Sequence, residues 1–162
     1  ADSVGTATLS GGEMNFENFV LIGRDGQATL TIQGNAGKFR CDRLTLSPFS
    51  TIEFVLNGST GVGAGIEVYD GDATLEGLVD ASFSGTAVGG DYIAMTTATG
   101  SIINSNASGI LTASSISNGW SSEIIGSDSW QALLLSYPLS GSDVSWTNGG
   151  TDQAWNTSVN GS

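Results

Sequence analysis

The sequence predicts an all-β chain wound as a β-solenoid of about four coils, closed by an aromatic, less regular C-terminal capping region. Three observations carry that prediction. The strand-like triplet Ala7-Thr8-Leu9 returns as Ala28-Thr29-Leu30 and Ala73-Thr74-Leu75, with a looser copy at Thr51-Ile52-Glu53-Phe54. The starts fall 21, 23 and 22 residues apart, a unit in which short strands and tight turns return the chain to its own column one strand spacing further on. Glycine, asparagine or proline marks each break, and helical periodicity is weak throughout.

Taken in order, alternation and β-branched content place strands at about 6–9, 14–22, 28–33, 38–46, 51–56, 65–70 and 73–83. Between them stand Gly11-Gly12, the 23–26 turn, the 34–37 turn, Ser47-Pro48, Asn57-Gly58 and Asp70-Gly71-Asp72, whose residues take backbone angles that others avoid. In the third strand Leu30 and Ile32 share a face, and in the fifth Ile52, Phe54 and Leu56 do the same, so stacking them builds a narrow continuous core. Past Phe83 the repeat loosens. Asp91 to Met95 reads as a strand, Gly100 to Asn106 as a turn-rich bend, and Gly109 to Ser117 and Glu123-Ile124-Ile125 as shorter strands. The run from Trp130 to Tyr137 reads as a buried strand. The expected organisation is a solenoid domain with its cap over 1–137 and a Gly/Ser/Asn-rich edge segment or linker over 138–162.

Composition narrows the function classes. Only 4 Lys plus Arg stand against 16 Asp plus Glu among 162 residues, His is absent, and the net charge is −12. Nucleic acid and anionic lipid are therefore excluded as expected partners, since nothing would displace their counterions. The cations Arg24, Lys38, Arg40 and Arg43 all come early, and 11 carboxylates follow them without a base. Charged residues make up 12% and hydrophobic ones 39%, a balance that folds rather than one held open by repulsion. No apolar run is long enough for a membrane span. The opening Ala1-Asp2-Ser3 has the style of a mature N-terminus left after signal cleavage, so secretion to the cell surface is the expected localisation. Cys41, the single cysteine, excludes an internal disulfide. Its strand-like setting predicts a buried thiol, against the sharper reading of an intermolecular bridge or a thiolate tuned by Arg40 and Arg43.

One stretch invites a family comparison. The run from Leu21 to Ile32, LIGRDGQATLTI, resembles the rungs of secreted bacterial surface proteins built from autotransporter-associated β-strand repeats, common where PEP-CTERM sorting operates. Thr51 to Leu56, Ile66-Glu67-Val68, Asp72 to Leu78 and Asp91 to Gly100 are similar to the closing rungs of such chains. Ser145 to Gly150 with Gln153 to Thr157 is similar to the tryptophan-containing segments that join repeat blocks. The resemblance implies a right-handed β-helix, export, and a structural or adhesive surface role, with no catalytic residue to carry over. The basic cluster at 38–43 departs from the pattern, as does the lack of a visible sorting tail.

Candidate sites follow from residue chemistry. The four cations would form one positive stripe for an anion or glycan if adjacent coils stacked them; the plainer reading is solvated strand-face charge that discourages sideways pairing. Asp70 and Asp72 are weak candidates for Ca2+ ligands. They lack the remaining oxygens of a calcium loop, so no cofactor is expected. Paired carboxylates suited to a glycosidase or lyase are no more than chance among 16 acids. Trp120, Trp146 and Trp155, with Tyr137, would form a sugar-stacking platform if exposed on one face, which is the alternative reading of a carbohydrate-binding module; packing explains Trp130 as well. Finally, Thr6, Ala7, Thr8 and Leu9, with Met14 to Ile22, form an assembly edge of unpaired backbone groups that no cap precedes. A further copy of the chain would satisfy it. Head-to-tail contact of that kind propagates into filaments. The expected function is a non-catalytic structural or adhesive protein that self-assembles end to end, with extracellular polysaccharide as a second partner.

Overall fold

A computed structural model describes residues 4–34, 37–58 and 65–139. The chain forms a β-solenoid of about four turns. One face of the stack is a four-stranded parallel sheet of β1 (Val4–Leu9), β3 (Gln27–Gln33), β5 (Thr51–Leu56) and β8 (Leu78–Phe83), in that order. The rest of each coil supplies the second sheet. There β2 (Gly12–Ile22) lies parallel to β4 (Gly37–Leu46), and the two halves of β4 pair separately with β6 (Ile66–Val68) and β7 (Ala73–Leu75). Those short strands in turn pair with β9 (Gly90–Thr97) and β10 (Ile102–Asn104).

That division has a cause in side-chain parity. Along β4, Phe39, Cys41, Leu44 and Leu46 are buried while Asp42 and Arg43 lie between two inward residues. Strict alternation would place one residue there. The extra residue turns the chain through a corner, and each coil bends at the matching place. Phe16 pairs with Cys41 and Phe19 with Arg43, a bulge in the first coil. Tyr69 to Asp72 separates β6 from β7.

The core consists of inward residues in register from coil to coil. Ala7, Leu30, Ile52 and Val79 form one column and Leu9, Ile32, Phe54 and Ala81 the next. On the other sheet Phe39, Ile66 and Met95 line up, as do Leu44, Ala73 and Ile102. Phe54, at the centre, is 2% exposed, and its truncation to Ala would cost about 3–5 kcal/mol.

The far end of the stack is covered twice. The β12 strand (Trp130–Tyr137) runs antiparallel to β9, and β11 (Ser121–Ser127) runs antiparallel to β12. Over β8, the Ile110 carbonyl accepts from Val79 and the Thr112 N–H donates back to it. A short helix, α1 (Ala113–Ser117), starts at Thr112, whose hydroxyl accepts from the Ser115 backbone. The buried Ser115 hydroxyl accepts the Ala81 N–H at 2.8 Å and donates to Asp80 at 2.8 Å, so the last strand of the four-stranded sheet keeps no unpaired donor there.

Three expectations need correction. The segment from Gly109 to Ser117 is a bridge at Leu111 followed by α1 rather than a strand; Thr112 is a good N-cap, and it won over the local β-branched content. The 73–83 run is two strands in two different sheets. Gly100 to Asn106 contains β10. The sequence repeat also differs from the stacking register. Ala28 stands beside Gly5, not Ala7, and Ala73-Thr74-Leu75 lies against Leu44-Thr45-Leu46 in the second sheet.

Candidate functional site: the uncovered first coil

Among the described residues the near end of the stack has no counterpart to the far-end cover. The outer edges of β1 and β2 have no strand partner among the described residues. Register shows which side chains this leaves uncovered. Met14 pairs with buried Phe39, Phe16 with buried Cys41, and Val20 with buried Leu44, so all three face the core. Met14 nevertheless stays 38% exposed and Phe16 41% exposed. Phe16 rests on Phe39 with ring centroids 5.2 Å apart. Together with Gly5, Ala7, Ile22, Ala28 and Leu30 these residues line an open, mainly apolar groove of about 310 Å³. It is the cross-section of the core.

The first coil is held to the second by charge on the outer face. Arg40 donates to Glu13 at 2.6 Å and to Glu67 at 2.8 Å, so one guanidinium spans three coils. Lys38 reaches Glu67 at 3.0 Å, and the Tyr69 hydroxyl donates to the same carboxylate at 3.0 Å. Burial by itself would push the Glu67 carboxyl up; the hydrogen bonds from Lys38, Tyr69 and Arg40 outweigh it and hold the group below the usual carboxylate range. The Arg40 guanidinium is pushed up, chiefly by its bond to Glu13.

The alternative of a positive stripe is therefore largely neutralised. Lys38 and Arg40 are tied to Glu67, Arg24 lies 3.8 Å from Asp25, and the Arg43 Nε donates to the Asp70 carbonyl. Cys41 is fully buried, and burial followed by the nearby Asp42 charge pushes its thiol up to about 12. It faces the core rather than a reactive pocket.

Of the assembly-edge residues, Thr6, Ala7 and Thr8 are exposed and Leu9 is buried against the next coil. Comparisons with protein-family models, curated proteins and solved structures match nothing. The geometry of this chain carries the functional argument.

The aromatic candidates divide. Trp120 is 4% exposed, packed on Phe83, Tyr92 and Tyr137 with centroids 4.8–5.9 Å away. This cluster plugs the core beyond Phe83, so Trp120 has no open face for a sugar, and Tyr137 is half-buried in the same cluster. Trp130, expected to fill the cap, is 47% exposed instead. Trp146 and Trp155 lie outside the described residues, as does most of the 138–162 segment. Asp72 accepts the Ser101 N–H at 2.8 Å, which gives it a turn-holding role. Among the described residues no group of three or more His, Cys, Asp or Glu is placed to hold a metal ion, Asp70 and Asp72 included. No described helix is long and apolar enough to cross a membrane.

The core-facing side chains Met14, Phe16 and Val20, left uncovered at the open end, were not singled out by sequence reasoning, which saw only the backbone edge. Their signal is present as apolar residues at 14, 16, 20 and 22, all of one parity, with polar Asn18 interrupting the series.

Proposed function

We propose that this chain is a non-catalytic structural module of an extracellular surface that associates with a second copy of itself through its first coil. The observation that supports the reading is that Met14 and Phe16, core residues by register, remain 38% and 41% exposed while the opposite end of the core is plugged. Unpaired strand edges and a core cross-section demand a partner that brings both backbone groups and apolar side chains.

A second copy fits on charge as well. Between Val4 and Arg43 the four cations balance Glu13, Glu17, Asp25 and Asp42, whereas 44–139 carries nine carboxylates and no base. First coil against first coil is the contact in which repulsion is smallest. Because α1 and the β11–β12 hairpin cover the other end, the two ends are not complementary. The favoured form is a closed two-fold pair. Filaments, the form expected from sequence, would require β1 or β2 to meet the outer edge of β10 or β11. Secretion and a surface role are supported by the acidic, histidine-free composition and by the rung-like segments at 21–32 and 51–56.

Light scattering coupled to size exclusion, from micromolar to millimolar protein at low and high salt, tests the proposal. The wild-type chain is expected to double in mass with concentration, more readily at high salt as the net charge is screened. Ala7→Lys, which places an ammonium over the groove, is expected to stay monomeric. A wild-type chain that is monomeric under every condition refutes the proposal, and a progressive series of larger species favours the filament form.

A further inference from the structure

We propose that the corner where β2 and β4 bend is a binding site for a neutral oligosaccharide, with Phe19 as its stacking platform and Arg43 as its hydrogen-bonding arm. This site lies on the side of the stack and is independent of the self-association proposed for the end.

Phe16 faces the core just before the bulge, and Phe19, on the opposite face, stands outside across from Arg43 and is 55% exposed. Two depressions meet at this pair. One, of about 410 Å³, is bordered by Thr45, Asp72 and Thr74; the other, of about 230 Å³, by Asn18, Asp42 and Asp70. A pyranose presents an apolar C–H face and a rim of hydroxyls, so it calls for an exposed ring flanked by planar polar groups with free hydrogen-bonding capacity. That combination is present. Arg43 uses Nε on the Asp70 carbonyl at 3.3 Å, and its two terminal nitrogens have no protein partner among the described residues. The side chains of Asn18, Asp42 and Asp70 and the hydroxyls of Thr45 and Thr74 also have no protein partner there. Thr45 and Thr74 stand side by side in register, extending the polar row from one coil to the next.

Glycine helps to place the arm. A Cβ on Gly71 would lie 2.8 Å from both Cγ and Nε of Arg43, so the absence of a side chain there lets the arginine stem lie across the turn. This limits its freedom before any ligand arrives.

The ligand is not anionic, because Asp42, Asp70 and Asp72 outnumber Arg43 at the site and the whole chain carries −12. An acidic polysaccharide would meet repulsion from all of them.

Affinity electrophoresis in native gels containing dextran, laminarin, mannan or galactan tests this, with polygalacturonate as the acidic arm. At least one neutral polymer is expected to retard the protein. Phe19→Ala and Arg43→Gln should each weaken that retardation by about tenfold, as loss of an anchor contact does. Phe19→Tyr should preserve it, as should Phe49→Ala, which removes an exposed ring outside the site. Phe16→Ser, whose ring lies on the core side of β2 away from this site, should also leave it intact. Thermal melting identifies any variant that fails to fold, and if Phe19→Ala does, Arg43→Gln carries the test of loss. Absence of retardation by every neutral polymer overturns the proposal. So does retardation confined to polygalacturonate, or retardation that survives both Phe19→Ala and Arg43→Gln.

Discussion

Replacing Phe16 by Ser separates the two roles the first coil is asked to play. The ring is 41% exposed, and a Phe side chain offers roughly 200 Å² for burial, so roughly 80 Å² remains to be covered by a partner. At about 25 cal/mol per Å² that is about 2 kcal/mol for each copy. A two-fold pair uses the residue twice, so Phe16→Ser should weaken association by about 4 kcal/mol, or about a thousandfold in dissociation constant. The same change removes the ring contact with Phe39 at 5.2 Å. Because much of the ring already faces water, the cost to the isolated fold should be about 2 kcal/mol, below the range for a fully buried Phe. Sedimentation equilibrium reads the first quantity, and urea unfolding at several protein concentrations reads the second. Wild-type stability should rise with concentration, while that of the variant should not. Equal association of wild type and variant, or concentration-independent stability in both, would show that the exposed core residues are not an interface.

Other perturbations test other parts of the argument. Ser115→Ala leaves the Ala81 N–H unpaired under α1 and should destabilise the chain by about 1–3 kcal/mol in urea unfolding; an unchanged midpoint would mean that the sheet end is closed without this hydroxyl. Gly71→Ala introduces a Cβ at a backbone φ of +149° and 2.8 Å from Arg43, so a loss of about 1–3 kcal/mol is expected, and a thermal melt matching wild type would contradict the close approach. Glu67 is held below its unfolded pKa, so its contribution is full above about pH 4.3 and is lost as pH falls through the folded value. The stability gap between wild type and Glu67→Gln should therefore close on acidification, and a gap that stays constant from neutral to acid pH would remove the network from the account. Cys41, buried with its thiol pushed up to about 12, should react with a disulfide reagent at neutral pH only as fast as the chain opens; rapid stoichiometric labelling without denaturant would refute its place in the core.

The coil architecture was legible because inward columns need only apolar residues at matching depth in each turn. Leu30 and Ile32, then Ile52, Phe54 and Leu56, announce that pattern directly. The register was less legible. The Ala-Thr-Leu triplets suggest that Ala28 follows Ala7, yet Ala28 stacks on Gly5, 23 residues earlier, and Leu78 stacks on Thr51 after 27. Stacking follows burial, and a two-residue slip keeps every inward side chain inward, so the triplets do not decide between the two alignments. Coil lengths then grow, with Ile66 to Met95 and Ala73 to Ile102 both spanning 29 residues. A fixed period read from the first coils therefore places Ala73-Thr74-Leu75 in the wrong sheet.

The same reasoning explains why the candidate sites were only half visible. An edge strand can be read from a sequence, since its neighbours in the repeat are known; whether its core-facing residues are covered depends on what packs at each end. At the far end Trp120 is drawn inward by Phe83, Tyr92 and Tyr137, while Trp130, in an antiparallel strand beyond the last coil, faces water. No property of an isolated tryptophan distinguishes them. Phe16 and Phe19 differ for a related reason. They are three residues apart in one strand, and uninterrupted alternation already puts them on opposite faces, but it also puts Asn18 inside. The bulge against Cys41 and Arg43 removes Asn18 from the core, while Val20 keeps the inward side that alternation gives it. Alternation thus sends one aromatic ring to the open end of the core and the other to the side of the stack, the bulge keeps Asn18 on the surface between them, and the two proposed contacts of this chain, with its own kind and with a sugar, both trace to this stretch of β2.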